Sequence, residues 1–296
     1  MTNFNKVSII VATYNASKYL KKQLDSILTQ ATRAEEIIIC DDHSTDETVL
    51  IITPYLVNKR IKLFVNNERL GVVENFKKAA RLAQKGNWMV FTDQDDIWMP
   101  SKLSRLTEEM YTLDDGVKPA LIFSDLTVID KDDNVVSVSF WEQRNIKPEK
   151  VKFSSLLFGN IVTGCTMIIN EAMAREFFCM DNKLFLHDEW LALIAYSFGS
   201  VKFLRDKLVL YRQHENNLTY SIYFEANKPK YKFSIDFCDL LGKGKFLSRQ
   251  FELARLFLKI YQERLTNEQI VILENFIELE HRSYLLKRFK RFISYC

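Results

Sequence analysis

The chain is expected to fold as an α/β layer structure, and three features of its N-terminal part support this. Short apolar runs recur at Val7 to Ala12, Glu36 to Cys40, Ile61 to Val65 and Trp88 to Phe91, and each is closed by polar residues. The segments between them carry apolar residues at helical spacing. Strands buried on both faces of a sheet read as such unbroken apolar runs, and helical crossovers separate them when the strands are parallel.

The elements follow in order. After the first strand, Tyr19, Leu20, Leu24, Ile27 and Leu28 recur at helical spacing and predict a crossover helix of about three turns. The second strand ends in Asp41-Asp42, and Ser44 with Glu47 has capping-box spacing for the next helix. The third strand is followed by a helix from about Val72 to Gln84, and the fourth strand runs into Asp93-Gln94-Asp95-Asp96. A further helix is expected near Ser101.

Composition narrows the class. A net charge of +3 is too small to argue for nucleic-acid binding, and 47% hydrophobic with 27% charged residues is ordinary for a globular chain. No apolar run reaches the length of a membrane span and no leader peptide is visible, which sets a cytoplasmic expectation. Five widely spaced cysteines without a Cys-x-x-Cys pair argue against a disulfide framework or structural zinc, and Cys40 and Cys165 read as packing residues.

In α/β sheets ligands bind beyond the carboxyl ends of the strands. Thr13 to Asn15, Asp41-Asp42, Asn67 to Gly71 and Asp93 to Asp96 all fall there. Three carboxylates at one strand end call for neutralisation by a cation or by several donors, and hard oxygen ligands suit magnesium or manganese. If strand geometry persists, Asp93 and Asp95 point to one side. An acidic turn with an Asp cap is the plainer reading of the same residues.

The series Val7-Ser-Ile-Ile-Val-Ala-Thr-Tyr-Asn15, Ile38-Ile-Cys-Asp-Asp-His-Ser-Thr-Asp46, Asn67 with Gly71 and Asn75, and Asp93-Gln-Asp-Asp96 resembles family 2 glycosyltransferases of the GT-A fold, over roughly residues 6 to 215. The resemblance implies a Rossmann-like mixed sheet flanked by helices, spanning residues 1–220, with a helical extension over 221–296. It further implies an inverting transfer of a sugar from a nucleotide diphosphate sugar, with a divalent metal on the diphosphate. Phe91 to Trp98, Asn160 to Thr166 and Tyr211 to Asn217 look most like bacterial enzymes assigned as rhamnosyltransferases of surface polysaccharides. The implied donor is dTDP- or UDP-linked, dTDP-rhamnose among the candidates, and the implied acceptor is a glycan or lipid-linked oligosaccharide.

By the same resemblance, Thr13, Tyr14, Asn15, Asp42, Asn67, Gly71, Asn75, Asp93, Gln94 and Arg212 serve the nucleotide. Asp42 would accept a hydrogen bond from a uracil or thymine imide. Asp93, Asp95 and His214 would hold the metal, while Asp96, Trp98, Gly164, Cys165, His187 and Trp190 line the sugar and acceptor pocket. Asp188 matches the family's catalytic carboxylate, with Glu189 in reserve because His187-Asp188-Glu189 departs from the usual pair order. Both acids also suit a helix start, where the dipole favours negative charge.

Two other functions share part of this pattern. A metal-dependent phosphohydrolase also carries Asp-x-Asp after a strand, although Asp96-Ile97 does not fit it, and an inactive binding module would retain the fold alone. The polar segment from Asn217 to Tyr231 is a candidate loop over the donor site. The tail Tyr284 to Cys296 alternates Lys287, Arg288, Lys290 and Arg291 with apolar residues. It reads either as a packed helical appendage or as a peripheral contact with an anionic membrane surface.

Overall fold

The structure is a computed structural model that describes residues 6–180, 186–215, 217 and 245–281. Strands β1 (Val7–Thr13), β2 (Glu36–Asp41), β3 (Ile61–Val65) and β4 (Trp88–Thr92) lie close to their expected bounds. They pair in parallel in the order β3-β2-β1-β4. Helices α1 (Leu20–Leu28), α2 (Thr48–Ile52) and α3 (Val72–Arg81) form the connections. The sheet then becomes mixed. The short β8 (Ile168–Ile169) runs antiparallel between β4 and β6 (Ala120–Ile129), and β9 (Ser200–Arg212) lies parallel to β6. The two-residue β5 (Ile97–Trp98) closes the far edge against β9, and β7 (Val135–Ser137) hangs off β6.

Side chains alternate across each strand, so one run supplies both faces. In β1, Ile9 and Val11 pack with Leu20, Leu24 and Ile27 of α1 and with Leu103, Leu106 and Met110 of α4 (Lys102–Leu113). Ile10 joins Ile38, Phe76, Phe91 and Phe123 on the opposite face. That second core also takes in α5 (Phe140–Arg144), α6 (Phe153–Leu156), α7 (Glu171–Cys179), α8 (His187–Phe198), α9 (Lys245–Tyr261) and α10 (Asn267–Glu278). Phe257 and Leu273, from the two C-terminal helices, are fully buried in it. At about 1.5–3 kcal/mol for each large apolar side chain buried, these contacts weld the extension to the sheet.

Two local expectations are corrected. Ser44 and Glu47 form no capping box: Ser44 donates through its N–H and hydroxyl to Asp41, and Asp46 accepts the Thr48 N–H that starts α2. Asp41 thereby takes the Ser44 N–H that a Glu47 side chain reaching back would need. Strand geometry also ends at Thr92, so Asp93 to Asp96 form a turn and period-two alternation does not apply to them. No helix among the described residues is long and apolar enough to cross a membrane. The tail Tyr284 to Cys296 and most of the segment from Asn217 to Tyr231 lie outside the described residues.

Candidate active site

The ends of β1, β2 and β3 form one side of the crevice. Asp41 accepts from the Thr13 hydroxyl at 2.8 Å and ties the first two strand ends together. Asp42, beside it, is 3% exposed and gathers the next loop: Oδ1 accepts from Asn66 Nδ2 at 2.9 Å and the Leu70 N–H at 2.7 Å, Oδ2 from the Gly71 N–H at 2.8 Å. Gly71 sits at φ +86°, where a Cβ is strained, which explains the residue type at this turn. Asn75 completes the frame, accepting from Asn66 and donating to the Cys40 carbonyl. Asn67 is exposed on the same loop.

Tyr14 and Asn15 are fixed by partners far along the chain. Gln94 accepts from the Tyr14 N–H at 2.7 Å and donates to its carbonyl at 3.1 Å, so its amide reads the Tyr14 backbone as a strand neighbour would. Asn15, at φ +48°, donates its N–H to Ser44 Oγ and accepts the Thr45 N–H. The Arg69 guanidinium lies 4.0 Å from the Tyr14 ring centroid and forms a flat cationic platform at the crevice edge.

The pairing of β5 with β9 brings the acidic turn against Arg212, His214 and Asn217. His214 Nε2 lies 2.9 Å from Asp95 Oδ2, and Asn217 Nδ2 donates to the same oxygen at 3.2 Å. Arg212 is fully buried. Its N–H donates to Asp96 Oδ1 at 3.0 Å, Nε to the Asp95 carbonyl at 2.8 Å, and Nη1 to the Asp130 carbonyl and to Asp133. Its Nε therefore braces the backbone of the acidic turn and Nη1 that of Asp130, while Nη2 is buried without a hydrogen-bond partner among the described residues.

Asp93 and Asp96 face a different neighbour. One oxygen of each and the Cys165 Sγ lie within 4.8 Å of one another. Burial, and then the charge of Asp95, push the Asp93 carboxyl up to about 7. Burial followed by Asp95 and Asp93 push Asp96 well above the carboxylate range. Asp96 Oδ2 is buried without a hydrogen-bond partner among the described residues. The crowded carboxylates of Asp93 and Asp96 are hard oxygen donors of the kind that fits a divalent cation of the magnesium or manganese type, while Asp95 and His214 pair with each other. The Cys165 thiol, raised by burial and by these same carboxylates, stays protonated and is a poor ligand for such an ion.

The first turn of α8 supplies the third wall. Asp188 Oδ2 accepts the Gly164 N–H at 3.0 Å and Oδ1 the Glu189 N–H at 2.8 Å. Burial, then the charges of Glu189 and Asp93, raise its carboxyl to about 7. Gly164, whose N–H Asp188 holds, directly precedes Cys165, which faces Asp93 and Asp96, so this turn links Asp188 to the acidic turn. A Cβ at Gly164 would come within 2.9 Å of His187 Nε2, so only glycine lets this turn seat against α8.

Three residues expected in the sugar and acceptor pocket are core instead. Trp190 is fully buried against Phe257 and Tyr261, with ring centroids 5.4 and 5.9 Å away, because it lies on the α8 face turned toward α9. Trp98 is buried, and its Nε1 donates to Thr92 Oγ1 at 3.0 Å. His187 packs among Phe76, Phe91 and Phe177, where burial drops its imidazole to about 3 and keeps it neutral. Glu189, the reserve base, is committed to α9: Arg249 engages both its oxygens and Gln250 donates to Oε1 at 2.9 Å.

Sequence reasoning missed Lys102 altogether. Its ammonium is buried, donates to the Cys165 carbonyl at 2.6 Å and lies 3.6 Å from the Trp98 ring centroid. Burial pulls its pKa down to about 7, against the opposing charges of Asp96 and Asp93. A lysine in the first turn of an amphipathic helix just after three aspartates was the available signal. Asn217, Asp133 and Arg249 gave no signal, since each acts through a partner remote in sequence.

The family model for glycosyl transferase family 2 matches residues 8–177. An uncharacterized glycosyltransferase of Rickettsia prowazekii is 27% identical over 215 residues, covering 72% of this chain and 65% of that protein. The UDP-Glc:alpha-D-GlcNAc-diphosphoundecaprenol beta-1,3-glucosyltransferase WfgD of Escherichia coli is 28% identical over 193 residues, covering 64% of this chain and 69% of that one. Among solved structures, S. aureus TarS 1-349 in complex with UDP-GlcNAc superposes with a TM-score of 0.58 at 21% identity, covering 74% of this chain and 62% of that one. The chain thus spans slightly less than two thirds of the Rickettsia relative and of that TarS chain. With the strand order, the acidic turn and the family match in agreement, this chain belongs to glycosyl transferase family 2 and has the GT-A fold.

Proposed function

We propose that the protein is an inverting, metal-dependent glycosyltransferase that moves a sugar from a UDP- or dTDP-linked donor to a hydroxyl of a bacterial surface glycan. The observation that carries this reading is the placement of Asp188 at a helix start, holding the Gly164 N–H at 3.0 Å one residue before Cys165, which faces Asp93 and Asp96 of the acidic turn; burial raises its carboxyl to about 7. A general base works best when its proton affinity lies near the working pH.

The platform of Tyr14 and Arg69 and the loop gathered by Asp42 would take the nucleoside. Asp95, His214 and Asp93 would hold a divalent cation, which supplies charge neutralisation for the diphosphate as it leaves. The acceptor hydroxyl attacks the anomeric carbon from the side opposite the diphosphate. A carbon–oxygen bond forms as the bond to the diphosphate oxygen breaks, and Asp188 takes the hydroxyl proton. Gly164 and the Glu189 N–H keep one carboxylate oxygen each engaged, so the base is aimed before substrate arrives. Glu189 cannot take that proton without giving up Arg249, which favours Asp188 between the two.

The relatives' names support a UDP-sugar and an acceptor on a lipid diphosphate, while the sequence resemblance keeps dTDP-rhamnose among the donors. A lipid-linked acceptor would give the basic tail a purpose at the inner face of the membrane. The deciding screen is thermal shift with manganese against UDP-glucose, UDP-GlcNAc and dTDP-rhamnose, followed by turnover of the stabilising donor, since a ligand specific to the folded state raises its stability. Stabilisation by none of them, or nucleotide hydrolysis that ignores the sugar, removes the proposal and favours a phosphohydrolase.

A further inference from the structure

The residue after the candidate base is held from the far end of the chain. Glu189 is 6% exposed, and its carboxylate takes Arg249 Nη1 at 3.2 Å and Gln250 Nε2 at 2.9 Å on one oxygen and Arg249 Nη2 on the other. Arg249 and Gln250 both belong to α9, outside the stretch that the family model matches. Apolar contacts already join the two helices, since Trp190 packs on Phe257 and Tyr261. A buried ion pair is a poor way to add stability where apolar packing is available, because desolvation offsets most of the attraction. Its place next to Asp188 gives it a different use. The N–H that Asp188 Oδ1 accepts is that of Glu189 itself, so whatever fixes Glu189 also fixes one of the two hydrogen bonds that orient the carboxylate.

We propose that Arg249 and Gln250 are positioning residues for the transfer: they clamp Glu189, and through its backbone they hold Asp188, which makes the C-terminal helix α9 a working part of the active site. This rests on Asp188 being the base. Among the described residues, the charged and titratable groups facing Asp188 are Glu189 and His187 from its own helix, Asp93 from the acidic turn and, through Glu189, Arg249 from α9; His187 is neutral. The clamp therefore also balances the negative charge closest to the base.

The test is a carbon-13 carboxyl titration of aspartate-labelled protein, in which the Asp188 signal is identified by its loss in Asp188→Asn. This readout needs no donor or acceptor. Glu189→Gln keeps the shape and removes the charge, and should lower the Asp188 midpoint by about one pH unit, the scale of one nearby charge in a partly shielded site. Arg249→Met should raise it, Arg249→Lys should restore part of the shift, and the double variant should follow Glu189→Gln. With UDP-glucose, UDP-GlcNAc or dTDP-rhamnose, whichever turns over, Arg249→Met should lower kcat about tenfold at unchanged donor KM. If Arg249→Met does not fold, Glu189→Gln alone decides. An unmoved Asp188 midpoint in Glu189→Gln, or variants that lose only melting temperature, overturns the proposal. A normal kcat in Asp188→Asn would instead remove the base assignment, and the two failures are distinguishable.

Discussion

Lowering the pH through the titration of Asp188 tests the base assignment most directly. Its carboxyl is raised from 3.8 to about 7, first by burial and then by Glu189. A base acts deprotonated, so at pH 6 only about one tenth of the enzyme is competent, and kcat should fall about tenfold for each further unit. The folded state binds this proton more tightly than the unfolded chain. Its protonation therefore stabilises the fold fully below about pH 4, and that contribution is lost as pH rises through about 7. Activity and stability should move in opposite directions across this window. Asp188→Asn removes the charge and should lower turnover about 10²-fold or more, abolish the acidic limb, and melt higher than the native protein at pH 8. Single-turnover transfer from pH 5 to 9, with melting curves in the same buffers, is the assay. Asp93 and Lys102 titrate in the same range, so the variant matters more than the profile alone. A kcat independent of pH between 5.5 and 8, or an acidic limb and normal turnover surviving in Asp188→Asn, refutes the assignment.

The remaining predictions concern the other walls and the tail. Asp95→Ala and His214→Ala should each abolish the manganese enhancement of nucleotide binding seen by calorimetry, while melting close to the native protein; an unchanged enhancement in both counts against the cation site. Asp42→Ala should weaken uridine or thymidine diphosphate binding by about 1–3 kcal/mol, through the lost charge and through release of the loop at Asn66, Leu70 and Gly71; equal binding of guanosine diphosphate by the native protein would contradict it. Lys102→Met should cut turnover at least about tenfold by freeing the Cys165 carbonyl and the turn that aims Asp188, with donor affinity changed less. Liposome co-sedimentation at low and high salt, with and without residues 284–296, tests the membrane contact, and equal partitioning of both chains makes the tail irrelevant to it.

How much was legible in the sequence depended on whether a residue acts alone or through a partner. Apolar runs closed by polar residues located β1 to β4 closely, because the inner strands β1, β2 and β4 are buried on both faces and the edge strand β3 still packs Ile61, Leu63 and Phe64 against the cores. The clustering of Thr13, Asp42, Gly71 and Asp93 at strand ends followed from the parallel order alone. Asp95 with His214 was also foreseeable, since both residue types bind cations. Side-chain direction was not. Asp93 turned toward Cys165 and Asp95 toward His214 because the strand stops at Thr92, and pattern reasoning gives strand ends only to within a few residues. Trp190 looked like a pocket aromatic because it follows two acids, yet α8 is apolar on nearly all sides and is covered by α9, about sixty residues later.

That covering helix changes what the acidic pair at 188 and 189 means. From spacing alone the two carboxylates are interchangeable, and either could serve as base. The fold separates them by giving Glu189 two side-chain donors, Arg249 and Gln250, while among the described residues Asp188 has backbone donors only. Asp188, next to a like charge and bonded only to amides among the described residues, has its carboxyl raised to about 7, first of all by burial. Two adjacent acids of nearly equal intrinsic strength thus acquire different chemistry from the partners the fold gives them. Among the described residues Asp188 is the one of the two without a counter-charge, which is the reason the proposed proton transfer is assigned to it.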